Sequence, residues 1–345
     1  MTTIDLQYRK IYHRRITIVV LLVLGLVLST FLDLMAGPAS LSVSEIFGGL
    51  VDPESLSLRY RIILWDVRLP DALIALSVGA ALGLAGIETQ TILNNPLASP
   101  FTLGVSSLAT LGASLAVVLS PALPMFSPST VLPAMALIFS TAAGALILLF
   151  TQLSNDARDR IILFGISLVF LGNALTAGLQ YIASAEAVQE IVFWTIGNLT
   201  RAGWTEVFIV TTVLILVAPF SLRHVWIMTL VRAGESHAQS LGLNIKRLRM
   251  FVIMRVSILV AFAVCFVGTI GFIGLVGPHI ARMMLGEDHR LLVPGSALCG
   301  ALILSLASWL SKTLIPGAII PVGILTALVG VPVFLALIAG QKKQW

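Results

Sequence analysis

Long apolar stretches separated by short polar ones fill almost the whole chain. Ten of them, at approximately 16–36, 70–93, 102–120, 129–152, 161–184, 204–222, 250–270, 272–285, 293–314 and 320–340, predict membrane spans, since a helix needs about 20 apolar residues to cross the hydrocarbon core. The eighth is short and glycine-rich, and its boundary with the seventh is indistinct. Two polar intervals are longer than turns. Residues 37–69 are polar and mixed, whereas 185–203, "AEAVQEIVFWTIGNLTRAG", space Val188, Ile191, Val192, Phe193 and Ile196 amphipathically. That spacing predicts a short helix lying on the outer surface. A third interval, Leu230–Met250, crowds Arg232, Glu235, His237, Lys246, Arg247 and Arg249 between two apolar segments, with Gly234 and Gly242 as breaks.

Composition agrees with this pattern. The 345 residues are 58% hydrophobic and 11% charged, against about a quarter charged in soluble domains. The fold class is therefore an all-α polytopic membrane protein, a single domain over 1–345 with its bundle across 16–340. The basic N-terminus (Arg9, Lys10, Arg14, Arg15) precedes an apolar run too long for a signal-peptide core of about 7–15 residues, so it reads as an uncleaved first span. With the N-terminus inside, 16 of the 21 Lys and Arg fall in inside segments, Lys342 and Lys343 among them. The positive-inside rule then makes both termini cytoplasmic. The outer segments carry Asp52, Glu54, Asp66, Asp71, Glu186, Glu190 and Glu206 and are net acidic. The basic residues sit in short loops and form no one-sided face, which excludes nucleic acid as a partner.

Catalytic chemistry is missing. The chain has no Gly-Lys dipeptide, hence no phosphate-binding GxxxxGK[ST] loop. GxSxG, HExxH and kinase motifs are absent as well. Cys265 and Cys299 lie in apolar runs and read as small core residues. Five scattered histidines (His13, His224, His237, His279, His289) lack paired spacing, so no metal or cofactor site is expected. An ion-driven secondary transporter, the rival from another class, keeps a relay of ionisable groups in mid-membrane. Only Glu88 qualifies, and a structural, hydrogen-bonded or snorkelling Glu is the plainer reading than a proton or substrate role.

Three Gly/Pro-rich segments are more specific than helix packing alone requires: "RLPDALIALSVGAALGLAGIETQTILNNPLASPFTLGVSS", "GTIGFIGLVGPHIARMM" and "PVGILTALVGVPVFLALI". With the "LG" of "SLGLNIKRLR" and with "DHRLLVPGSALCGA", in this order, they resemble the FecCD-type permease subunits of type II ABC importers, the iron–siderophore, haem and cobalamin uptake family. The resemblance covers about Val67 to Ile338. It implies ten spans per subunit, a second permease subunit, like or unlike, two cytoplasmic ATP-binding subunits, an external solute-binding protein, and residence in the bacterial inner membrane among its lipids. A ferric siderophore is the expected substrate, with haem or cobalamin as alternatives.

The resemblance also implies sites. The segment between spans six and seven, within 223–249, would be the pair of short helices that seat in the ATPase, with Arg232, Gly234, Glu235, Ala238, Leu241 and Gly242 as its coupling residues. Glu235, Ala238 and Leu241 are spaced i, i+3 and i+6, Gly242 can end a first helix and Asn244 can cap a second. An ordinary basic loop is the alternative. Binding-protein docking would use Arg68 and Lys312. The family's second basic position, just after "RLP", is Asp71 here, so Arg59 or Arg61 would compensate or the facing lobe would differ in charge. Pairing of Arg68 with Asp66 or Asp71 is the alternative. The translocation pathway would run along span five, with Gly165, Ser167, Gly172, Asn173, Thr176 and Gln180 as candidates. Gly165, Gly172 and Thr176 share one helical face, for which close helix packing is the alternative.

Overall fold

The computed structural model describes residues 3–39, 41–120, 127–153 and 158–341. Lys342 and Lys343 of the inside-charge count lie outside them. Among the described residues the regular structure is helical throughout: α1 (Thr3–Met35), α2 (Val43–Val51), α3 (Leu58–Ile62), α4 (Leu69–Ile92), α5 (Val105–Leu119), α6 (Pro128–Leu153), α7 (Arg158–Ile182), α8 (Ala185–Thr195), α9 (Trp204–Arg223), α10 (Val225–Ala233), α11 (Glu235–Ser240), α12 (Ile245–Val267), α13 (Ile273–Leu285), α14 (His289–Thr313) and α15 (Val322–Gln341), with short 3-10 turns between some of them. Among the described residues seven helices are long and apolar enough to cross a membrane, and α5, α13 and α15 are shorter apolar helices. This is the architecture of a polytopic membrane protein.

The centre of the bundle is α4. Of its most apolar window 83% is buried, compared with 22% for α1 and 28% for α6 and α7. Leucines and phenylalanines on those outer helices, Leu24, Leu163 and Phe170 among them, are exposed, as expected of surfaces whose solvent is lipid. Glycine explains why α4 can be so enclosed. A β-carbon at Gly79, Gly83 or Gly86 would overlap the backbone of Gly300, Ser296 or Gly274 respectively. With no side chain in the way, α4 meets α14 and α13 backbone to backbone, a packing mode suited to an interior that gains nothing from apolar transfer between helices.

The indistinct boundary between the seventh and eighth stretches is a chain break at Gly268–Phe272. Gly268 has φ 78° and Phe272 has φ 68°. The freed carbonyl of Val267 accepts from Asn198 N, just past α8, at 2.7 Å, and Thr269 Oγ1 donates to Thr195 O at the end of α8 at 2.6 Å. Backbone that leaves the helix inside a membrane needs such partners. Helix α8 buries Ile191 and Trp194 and exposes Val192 and Phe193.

Residues 37–69 are more ordered than a mixed loop. Ser42 and Glu45 form a capping box that starts α2. Trp65 Nε1 donates to Gly49 O at 2.9 Å. Leu34, Ile46, Leu64 and Ala72 make a small second core there. The chain then runs from α3 through a π-helical stretch, Ile63–Arg68, straight into α4.

Candidate functional site

The polar island becomes two short helices joined at Gly234. That residue has φ 152° and ψ 125°, a backbone conformation open to glycine and costly to other residues. Gly242, with φ 82°, follows α11 and its NH donates to Gln239 O. Asn244 then caps α12 through a 2.9 Å bond from Arg247 N.

The six coupling candidates divide by direction. Ala238 is fully buried. Glu235 faces inward: its Oε1 accepts from Arg249 Nη2 at 2.9 Å and its Oε2 lies 3.1 Å from Arg158 Nη2. Arg232 Nη1 donates to Asn94 Oδ1 at 2.6 Å, and its Nη2 is 3.6 Å from Glu287 Oε1. Leu241 is 67% exposed, and Gly242 is exposed with it. The i, i+3, i+6 spacing therefore does not make one outward face. The exposed tip is Ala233, Ser236, His237, Gln239, Ser240, Leu241 and Gly242, of which the coupling candidates include only the last two. The anchoring partners Arg158, Asn94 and Glu287 were missed, and they come from elements remote in sequence.

Around Arg232 the polar contacts continue. Arg282 Nε lies 3.3 Å from Glu287 Oε1, and Arg282 Nη2 donates to Gln90 Oε1 at 3.1 Å. Arg290, in the first turn of α14, grips the N-cap Asp288 with three hydrogen bonds of 2.7–3.1 Å, which holds that carboxyl below the usual carboxylate range. The same guanidinium lies 4.6 Å from the Trp226 ring of α10.

At the opposite end, the two leading docking candidates turn inward. Arg68 is 4% exposed. Its Nη1 donates to Leu34 O at 2.7 Å, and its Nη2 is bonded to Ala39 O. It clamps the carbonyls that end α1, and it pairs with neither Asp66 nor Asp71. Lys312 Nζ lies 3.0 Å from Asp33 Oδ1 and 3.6 Å from Asp71 Oδ2, and Ser308 Oγ donates to Asp33 Oδ2 at 2.9 Å. The residue that reversed the expected charge thus helps neutralise a buried lysine. Three helices, α1, α4 and α14, are tied there. Arg59 and Arg61 are exposed.

The span-five candidates also divide. A β-carbon at Gly165 would overlap Thr102 O and Leu103, and one at Gly172 would press on Ser107. Thr176 is 7% exposed. At Gly165 and Gly172 this face of α7 is its seam with the Pro100–Leu103 turn and α5, where close packing requires glycine. Asn173 and Ser167 are exposed and Gln180 is half-buried. A separate cavity of about 660 Å³ opens at the α12–α13 break, between Thr195, Thr269, Phe272, Gly323, Leu328 and Pro332.

Glu88 is enclosed. Arg255, well inside α12, donates to its Oε1 from Nε at 3.1 Å and from Nη2 at 2.7 Å, with Glu88 fully buried and Arg255 5% exposed. This is a two-pronged structural ion pair, in keeping with the plainer of the two readings. Cys265 and Cys299 are free and buried. Among the described residues no cluster of His, Cys, Asp or Glu could hold a metal ion.

Comparison with known proteins agrees with this architecture. The model of the FecCD transport family matches residues 24–340. The hemin transport system permease protein HmuU of Yersinia pestis is 34% identical over 324 residues, covering 94% of this chain and 97% of that one. The molybdate import system permease protein MolB of Haemophilus influenzae is 34% identical over 328 residues, covering 93% and 95%. A solved structure described as an inward-facing conformation of a metal-chelate type ABC transporter superposes with a TM-score of 0.83 at 34% identity, covering 94% of this chain and 99% of that one. This chain belongs to the FecCD family of type II ABC importer permeases. It is a multi-pass permease subunit of a family without an ATPase domain of its own, and its systems typically add a partner ATPase and a solute-binding protein.

Proposed function

We infer that this chain forms one permease subunit of an importer that carries a ferric siderophore across the bacterial inner membrane by ATP-driven alternating access. A second permease subunit, two ATP-binding subunits and an external solute-binding protein complete the assembly. In this reading the seven long and three shorter apolar helices make ten spans, the end bearing α10 and α11 faces the cytoplasm, and both termini lie there. Nucleotide binding changes the population of outward- and inward-open states, because the ATPase contacts one of them more favourably.

The observation that carries the reading is the tip of α10–α11. It presents Ser236, His237, Gln239 and Leu241 outward while Arg232 and Glu235 beneath them are fastened inward. A loop that existed only to satisfy charge topology has no need of a buried ion pair beneath it. Leu241 is the apolar anchor a partner cleft would enclose. On the opposite face, Arg59 and Arg61 are the exposed basic groups of the docking set, while Arg68 and Lys312 shape the surface from below. Asn173, Ser167 and Gln180 line the route against the second subunit. The siderophore assignment rests on family membership and on likeness to a transporter of metal-chelate type. The relatives named for hemin and molybdate define its competitors.

One experiment tests both halves. Cells expressing the complete transporter are given labelled ferric siderophore, haem, cobalamin or molybdate, with wild type compared against Leu241→Asp. Wild type is expected to take up the siderophore. Burying an unpaired carboxylate at an interface anchor weakens binding by about 2 kcal/mol or more, so the variant should lose both the co-purifying ATPase and uptake. Entry of another substrate alone would sink the siderophore assignment and leave the coupling reading standing. Retention of the ATPase by Leu241→Asp would sink the coupling reading.

A further inference from the structure

The two halves of the coupling segment are fastened to different parts of the bundle. Helix α10 is held through Arg232 to Asn94, just past the end of α4, and to Glu287, in the turn joining α13 and α14. Arg290, in the first turn of α14, lies against its Trp226. Those three helices, α4, α13 and α14, are in backbone contact through Gly79, Gly83 and Gly86, so a displacement of α10 moves them together. Helix α11 has other attachments. Glu235, its first residue, gives one carboxylate oxygen to Arg249 of α12 and the other to Arg158, the first residue of α7. Lys246 of α12 in turn donates to Gln152 O near the end of α6 at 2.8 Å. Between the two halves stands Gly234, at φ 152°.

We propose that Gly234 is a hinge between α10 and α11, and that Glu235 is the positioning residue that makes α7 follow the coupling helix by joining Arg158 to Arg249. A push on the α10–α11 tip is thereby divided. One part goes to the α4–α13–α14 block, to which the buried Glu88–Arg255 pair fastens α12, and the other goes through Glu235 to α7, the helix carrying the exposed pathway candidates. Arg249 is fully enclosed, the Glu235 side chain is 17% exposed and the Arg158 side chain 31% exposed. The Arg158 contact is thus the outer, breakable half of the bridge, and the Arg249 contact is its fixed half. Rigid elements with discrete attachments of this kind are what carry coupling between distant sites. The inference rests on the coupling reading of the previous subsection.

The test uses the complete transporter with nitroxide labels at Leu163→Cys on α7 and Met283→Cys on α13, both exposed, and reads their separation with and without ATP and vanadate. With Arg158 intact the separation should change on nucleotide trapping. In Arg158→Gln the change should be lost while the ATPase stays bound and keeps hydrolysing ATP. Arg158→Lys should preserve it, because the contact is a single N–O approach and needs no planar fork. A full nucleotide-dependent change in Arg158→Gln, no change with Arg158 intact, or loss of the ATPase from Arg158→Gln overturns the proposal. Failure of the underlying coupling reading is seen separately, as retention of the ATPase by Leu241→Asp.

Discussion

Arg255→Leu should leave almost no folded permease in the membrane. The substitution removes both arginine donors from Glu88, which is fully buried. Removing one partner of a buried pair costs about 3–5 kcal/mol, because the remaining charge has neither water nor a counter-ion. Whole domains are stable by only about 5–15 kcal/mol. Replacing both partners, Glu88→Leu with Arg255→Leu, should restore most of the lost abundance, since an apolar pair of similar volume leaves no charge behind. Quantitative immunoblots of membrane fractions, with thermal melts in detergent, make the comparison. Full abundance of the single variant would show that the pair contributes nothing to folding. Normal abundance of the double variant with abolished uptake would instead revive a proton or substrate role for Glu88.

That pair also marks where sequence reasoning reached its limit. Spans were legible because a bilayer imposes a length and an apolar composition on every crossing helix. The polar island was legible because charge is scarce everywhere else. What one sequence does not give is the partner of each polar side chain. Glu88 could be picked out, but Arg255 reads as one more cytoplasmic basic residue until α12 is seen to carry it beside α4. Arg68 and Lys312 stand at the ends of predicted spans, where exposure is the ordinary expectation. Their partners, the Leu34 carbonyl and Asp33, are supplied by α1, and Asp33 is fixed in place by α14 through Ser308. The face shared by Gly165, Gly172 and Thr176 was correctly a face, yet only the tertiary arrangement reveals that α5 lies against it. By contrast, α2 carried its own signal. Ser42 and Glu45, three apart before Ile46 and Phe47, are a capping box in plain sight.

The glycines of α4 separate a conformational reading from a contact reading, and they support the second large effect. Gly86 and Gly178 both lie inside helices, so replacement by Ala favours the helix itself at each, by about 0.8–1.0 kcal/mol. Their surroundings are opposite. A β-carbon at Gly86 overlaps the carbonyl oxygen of Gly274, whereas one at Gly178 meets nothing within 4 Å. The obstruction at Gly86 is main chain, which no rotamer change can relieve. Helices α4 and α13 must move apart, and the neighbouring backbone contacts of Gly83 with Ser296 and of Gly79 with Gly300 loosen with them. The penalty should exceed the about 1–3 kcal/mol of ordinary core overpacking, where side chains can adjust. Gly86→Ala is therefore expected to melt far below wild type or fail to accumulate, and Gly178→Ala to melt at or slightly above it. Equal melting of the two variants would mean that α4 and α13 do not meet backbone to backbone. The rigid block that α10 is argued to drive would then lose the main-chain contacts that join α4 to α13, and its stiffness would rest on side-chain packing alone.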